Sequence, residues 1–79
     1  MRVVALASGS SGNATLVMAG EIKLLIDAGL PTRALEAALA RLAVNPHQLA
    51  ALFLTHEHGD HVAAAGVLSR RYRIPVVAN

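Results

Sequence analysis

The 79-residue chain has no cysteine and no tryptophan, and only one phenylalanine and one tyrosine. Without cysteine, a disulfide framework, a thiolate metal site and a CxxC redox pair are all excluded. That absence fits a reducing compartment, and a cytoplasmic location is expected. Aromatics make up 3% of the residues against 54% hydrophobic overall, so the core must be built from Ala, Val, Leu and Ile. A chain this short hides only about 60–65% of its unfolded surface, and without aromatics, disulfides or a metal such a core is thin. The chain is therefore expected to be part of a larger domain. Long apolar runs are also missing. No stretch approaches the roughly 18 consecutive apolar residues that cross a bilayer, so no membrane partner is expected. The opening MRVVALASGS carries a basic residue and a small-x-small triplet, Ala5-Leu6-Ala7. Its apolar run, Val3 to Ala7, is shorter than the about 7–15 residues of a secretory signal. A net charge of +2 points to no particular partner, and nothing in the sequence speaks to oligomeric state.

What remains has a clear order. Arg2 to Ala7 reads as a strand ending in the turn-rich Ser8-Gly9-Ser10-Ser11-Gly12-Asn13. Ala14–Met18 and Ile22–Asp27 are β-compatible, joined by a hairpin loop at Ala19-Gly20-Glu21. A helix is expected from about Thr32 to Ala43, with Leu35, Leu39 and Leu42 forming one apolar stripe. Asn45-Pro46-His47-Gln48 carries the signs of a short helix start, with Asn45 as cap and Gln48 reaching back as in a capping box. Ala51–Leu54 reads as a buried strand and Val62–Tyr72 as a second helix. Ile74–Ala78 is a last strand, with Pro75 near its start. The order β-β-β-α-β-α-β defines an α/β class. It stops on an apolar strand with nothing after it to cover the sheet.

The chemistry is concentrated in LTHEHGDH, Leu54 to His61, which holds three of the four histidines and two of the five acidic residues. Side chains two residues apart share a side only in an extended chain. His56 and His58 can thus converge on one ion if the strand through Leu54 runs on into this segment. Gly59 permits a sharp turn, after which Asp60 and His61 swing back as the next helix begins, while Glu57 points to solvent. Imidazole nitrogens and a carboxylate suit zinc, with iron(II) or manganese as alternatives. A zincin HExxH fails, because the second histidine would have to stand where Asp60 does. A cytidine-deaminase pattern fails for want of cysteine. A Ser-His-Asp triad is not excluded by composition, but Ser10 misses a GxSxG elbow by one position. A lone histidine would read as part of a polar loop; three with an aspartate, behind an apolar strand, read as a metal site.

Thr55-His56-Glu57-His58-Gly59-Asp60-His61 resembles the HxHxDH signature of the metallo-β-lactamase fold superfamily, and Leu25-Ile26-Asp27-Ala28-Gly29 looks like its first motif. The opening Ala7 to Asn13, THEHGDH and RRYRIPVVAN are similar to a bacterial branch of exonuclease-like hydrolases. The resemblance covers essentially the whole chain and implies the N-terminal half of an αββα sandwich built from two similar halves. It implies that His56 and His58 ligate a first metal, Asp60 and His61 a second, and that Asp27 steadies the ligand loop from behind. It further implies two-zinc hydrolysis by a metal-bridging water, with Asp60 orienting that water or taking its proton. The implied substrate is a phosphodiester in nucleic acid, with a thioester, lactone or lactam, or a non-catalytic metal-binding piece, as the other readings.

This chain departs from the family pattern in one respect. The family completes its site with a further histidine, an aspartate and a last histidine, and after His61 this chain has no His, Asp or Glu. These 79 residues alone are expected to bind zinc weakly and hydrolyse nothing. The remaining signals have ordinary explanations. The Ser8–Asn13 turn needs glycine angles; a substrate-facing anion cradle involving Ser10, Ser11 and Asn13 is the alternative. Arg70, Arg71 and Arg73 suit a helix C-terminus, with phosphate contact as the sharper alternative. His47 is expected to be exposed and not a ligand. Read without the resemblance, Asp27 is equally well a strand-ending turn residue.

Overall fold

A computed structural model describes residues 1–7, 13–55 and 59–78, with residues 59–63 described as backbone alone. The strands are β1 (Arg2–Ala7), β2 (Ala14–Ala19), β3 (Ile22–Ile26), β4 (Leu49–Leu54) and β5 (Val76–Ala78); the helices are α1 (Thr32–Arg41) and α2 (Gly59–Tyr72). One sheet holds the five strands in the order β1-β2-β3-β4-β5. The first three are antiparallel neighbours, and β3, β4 and β5 run parallel. Parallel neighbours need long crossovers, and α1 and α2 are those crossovers. The expected α/β class and element order hold.

Strand alternation divides the sheet into two unlike faces. Leu16, Leu25 and Leu52 lie side by side in register and are fully buried. They pack with Leu35 and Leu39 of α1 and with Ala64, Ala65 and Leu68 of α2, so both helices cover this face. The core is wholly aliphatic. The other face carries Val3, Val17, Leu24 and Ala51 in one row and Thr15, Ile26, Phe53 and Val77 in the next. None of these joins the core cluster, and Val3, Phe53 and Val77 are exposed.

The ends of the elements show where local chemistry decided. Gly20 takes a φ of 61° at the first of two turn residues between Ala19 and Ile22, as a II′ hairpin turn requires. The helix expected to reach Ala43 stops at Arg41 because Ala43 turns left-handed, at φ 57°. The Val44 N–H then donates to the Leu39 carbonyl and the Ala43 N–H to that of Ala40, the Schellman ending, with Val44 and Leu39 both buried. α2 ends in the same way. Arg73 lies at φ 56° and the Ile74 N–H donates to the Ser69 carbonyl, so the last strand begins at Val76 and not at Ile74. Alanine tolerates the left-handed region poorly. An Ala43→Gly chain should therefore gain about 0.5–1 kcal/mol in urea denaturation.

The short helix start is a single 3-10 turn, Pro46–Gln48, with the capping box expected from Asn45 and Gln48. β4 begins two residues earlier than expected, at Leu49, which is buried at the foot of the sheet.

α1 and α2 are joined at the surface. The Tyr72 hydroxyl and the Arg71 guanidinium both donate to Glu36, the latter at 3.0 Å. His47 is exposed, as expected, and its ring meets Tyr72 edge-on at 4.9 Å. The Tyr72 bond, then Arg71, hold the Glu36 carboxyl below its ordinary 4.5. A carboxyl whose folded pKa is depressed contributes stability above its unfolded value, and that contribution is lost as pH falls through the folded one. Glu36→Gln should flatten the fall in stability below about pH 4.5, as followed by chemical denaturation across the acid limb.

Candidate metal centre

The parallel pair β3–β4 brings two chain exits to one end of the sheet. β3 leaves at Asp27 and β4 leaves at Thr55, four residues before α2 begins at Gly59. The Asp27 N–H still belongs to the ladder and donates to the Phe53 carbonyl at 2.7 Å. A continued parallel ladder would next hand the Thr55 N–H to the backbone carbonyl of residue 27. Asp27 instead turns left-handed, at φ 62°, and its carboxylate takes over as acceptor. The Thr55 N–H donates to Oδ1 at 2.8 Å and the Thr55 hydroxyl donates to Oδ2 at 2.5 Å. Few residues other than glycine accept this backbone region, and aspartate is one of them. Asp27 thus occupies a left-handed turn position, as the plain turn reading expects, and its carboxylate accepts both bonds from Thr55.

Asp27 is the buried charged side chain among the described residues, 7% exposed. A carboxylate there needs charge-assisted donors to offset its lost hydration, and Thr55 supplies two. The same turn also holds the end of the serine-glycine loop, because the Gly29 N–H donates to the Asn13 carbonyl at 2.8 Å. Two segments named in the sequence therefore meet at Asp27-Ala28-Gly29.

The expected ligands His56 and His58, with Glu57 between them, lie outside the described residues, as do Ser10 and Ser11. Asp60 and His61 fall in the first turn of α2, which starts three residues earlier than expected. Asn13 is described, at the exposed start of the segment leading into β2. Among the described residues no three His, Asp or Glu side chains come together. The fit to a metal rests on the donor set, three imidazoles and a carboxylate within six residues, which suits a borderline divalent cation. It rests also on Asp27, whose oxygens face Thr55 at the mouth of that segment. Thr55 is the residue that sequence reasoning missed as a participant. It stands 28 positions from its partner, and no local signal pairs the two.

The profile of the metallo-beta-lactamase superfamily matches residues 7–79, and the chain belongs to that family. Over 74 residues it is 47% identical to exodeoxyribonuclease YycJ of Bacillus anthracis, covering 94% of this chain and 28% of that protein. It is 45% identical, with the same coverage, to exodeoxyribonuclease WalJ of Streptococcus pneumoniae. Among solved structures, the Rm3 metallo-beta-lactamase superposes with a TM-score of 0.76 at 26% identity, covering 94% of this chain and 28% of that one. The chain spans just over a quarter of the length of each of these relatives. No helix among the described residues is long and apolar enough to cross a membrane.

Proposed function

We propose that this chain carries the first metal-binding segment of a metal-dependent hydrolase that cleaves phosphodiester bonds in nucleic acid, in the manner of an exonuclease. The observation behind this reading is the Asp27–Thr55 clamp directly ahead of His56-Glu57-His58-Gly59-Asp60-His61. The choice of nucleic acid over a thioester, lactone or lactam rests on the similarity to two exodeoxyribonucleases. His56 and His58 would hold one divalent cation, and Asp60 and His61 a second; zinc is favoured, with manganese or iron as the other candidates. Bound cations would supply Lewis acidity and lower the pKa of water at the site. Asp60 would orient the attacking water or accept its proton. Asp27 holds the entry to the ligand segment through Thr55, and Ser10, Ser11 and Asn13 would face the substrate. The lack of cysteine supports a cytoplasmic setting.

Four donors are too few for two four-coordinate cations, so the 79 residues alone should bind zinc weakly and turn over nothing. Zinc titration of the purified chain against a chromogenic chelator should show binding that His58→Ala abolishes. An assay on end-labelled DNA should show no cleavage by this chain and metal-dependent release of nucleotides by a chain of the relatives' length. Undiminished zinc binding in His58→Ala sinks the ligand assignment. EDTA-sensitive cleavage by the 79 residues sinks the expected inactivity, and hydrolysis of a thioester in place of DNA reassigns the substrate.

A further inference from the structure

We propose that the outer face of α1 and α2 is a nucleic-acid contact in its own right, a patch of arginines that grips the phosphate backbone away from the metal segment. The choice of polyanion rests on the nucleic-acid reading above; the patch itself stands on charge and geometry. Five of the seven lysines and arginines, Arg33, Arg41, Arg70, Arg71 and Arg73, lie on the two helices or directly after them. All five are exposed, and Glu36 is the one carboxylate among the described side chains of that layer. Arg71 reaches Glu36 at 3.0 Å, and Arg33, one turn earlier on α1, acts on the same carboxylate. The two cations therefore flank one point where the helices meet. Arg70 lies beside them, its guanidinium folded back over Gly66, where a Cβ would come within 3.1 Å of Nη1. Among the described residues Arg71 is the cation held in an ion pair. Arg33, Arg70 and Arg73 are left to meet an anion from outside.

Helix stability does not account for the whole set. Cations in the last turn complement a helix dipole, which suits Arg70 and Arg71. Arg33 stands at the other end, in the first turn of α1, where there is no acidic residue and the dipole opposes a cation. The patch reads charge and not bases. Its one aromatic, Tyr72, has its hydroxyl on Glu36 and its ring against His47 at 4.9 Å, so it is engaged within the protein and is not a stacking platform of the kind single-strand binders use. A membrane surface is the poorer partner. The other exposed positions on the α1 face are Ala37 and Ala40, without the large apolar side chains that enter a bilayer interface. α2 has 14 residues, so its basic end lies about 20 Å from its start beside the proposed ligands. One strand of a duplex covers that distance in about six nucleotide steps.

The probe is a fluorescein-labelled DNA duplex in EDTA, followed by anisotropy against the 79-residue protein as salt is raised, with unfolding midpoints measured alongside. EDTA takes metal binding out of the measurement. Contacts from Arg33, Arg70 and Arg73 predict a slope of log K against log salt of about −3, and so a loss of about 40-fold between about 50 and 200 mM salt. Changing the base sequence should leave affinity unaltered. Arg33→Gln, Arg70→Gln and Arg73→Gln should each weaken binding and make the slope shallower by about one. Arg41→Gln removes the same charge about 140° round α1 from Glu36, and should stay within about twofold of the parent. Glu36→Gln releases Arg71; it should tighten binding and steepen the slope by about one, a gain that misfolding does not mimic. A parent chain that leaves the duplex unbound at low salt overturns the proposal. So do parent-like binding by the three arginine variants, an Arg41→Gln loss equal to theirs, or a Glu36→Gln chain that binds no tighter. Tighter binding to phosphatidylglycerol vesicles than to the duplex reassigns the patch and overturns it too. The nuclease reading is separate from all of these, since it stands or falls on metal-dependent cleavage by a chain of the relatives' length.

Discussion

Asp27→Ala should lose about 3–5 kcal/mol of folding stability in urea denaturation. The substitution takes both carboxylate acceptors from the Thr55 N–H and hydroxyl; Thr55 is itself exposed and water replaces part of the loss, so the two charge-assisted bonds together are worth about 2–3 kcal/mol. It also places alanine at φ 62°, where an ordinary side chain pays about 1–2 kcal/mol. Domains of this size have only about 5–15 kcal/mol in total, so much of the variant population should be unfolded at moderate urea. Asp27→Gly separates the two causes, because glycine accepts the backbone angle and lacks the carboxylate. It should fall between the parent and the alanine variant. An alanine variant within about 0.5 kcal/mol of the parent would show that the clamp contributes little to the fold.

Leu52→Ala should be the most damaging change in β4, at about 3–5 kcal/mol. Leu52 is fully buried between Leu25 and the helices, so truncation leaves a cavity that flanking strands cannot collapse into. The next residue provides the contrast. Phe53 is 36% exposed on the face without helices, and Phe53→Ala should cost about 1 kcal/mol or less. Comparable losses at the two positions would mean that the sheet's faces have been assigned wrongly. The comparison is informative because the two side chains share a strand and differ only in which side of it they occupy.

Much of this was legible from the letters. Leu35 and Leu39, four apart, marked the buried stripe of α1, and both are fully buried. Asn45 and Gln48 marked a capping box three residues wide, and both of its bonds form. These signals are local, decided within one turn of chain. Element ends were less legible. The Ala43 stop was missed because that residue is not glycine, and the left-handed turn there is stabilised by burying Val44; the end of α2 at Tyr72 was placed correctly, but the left-handed Arg73 and buried Ile74 that follow it delay the last strand to Val76. The start of α2 was placed late because the His-Gly-Asp stretch looks like loop by composition.

The sequence by itself determined the fold class, the aliphatic character of the core and the six-residue segment in which three histidines and an aspartate are gathered. It could do so because periodicity and residue chemistry act over short distances. The tertiary structure alone decided that Asp27 faces Thr55 and that the Asn13 end of the serine-glycine loop is held at the same turn. Those pairings join residues 28 and 16 positions apart. The first exists because β3 and β4 lie parallel and end together, which no local pattern in the chain encodes; the second because β2 starts beside the end of β3 in the antiparallel hairpin.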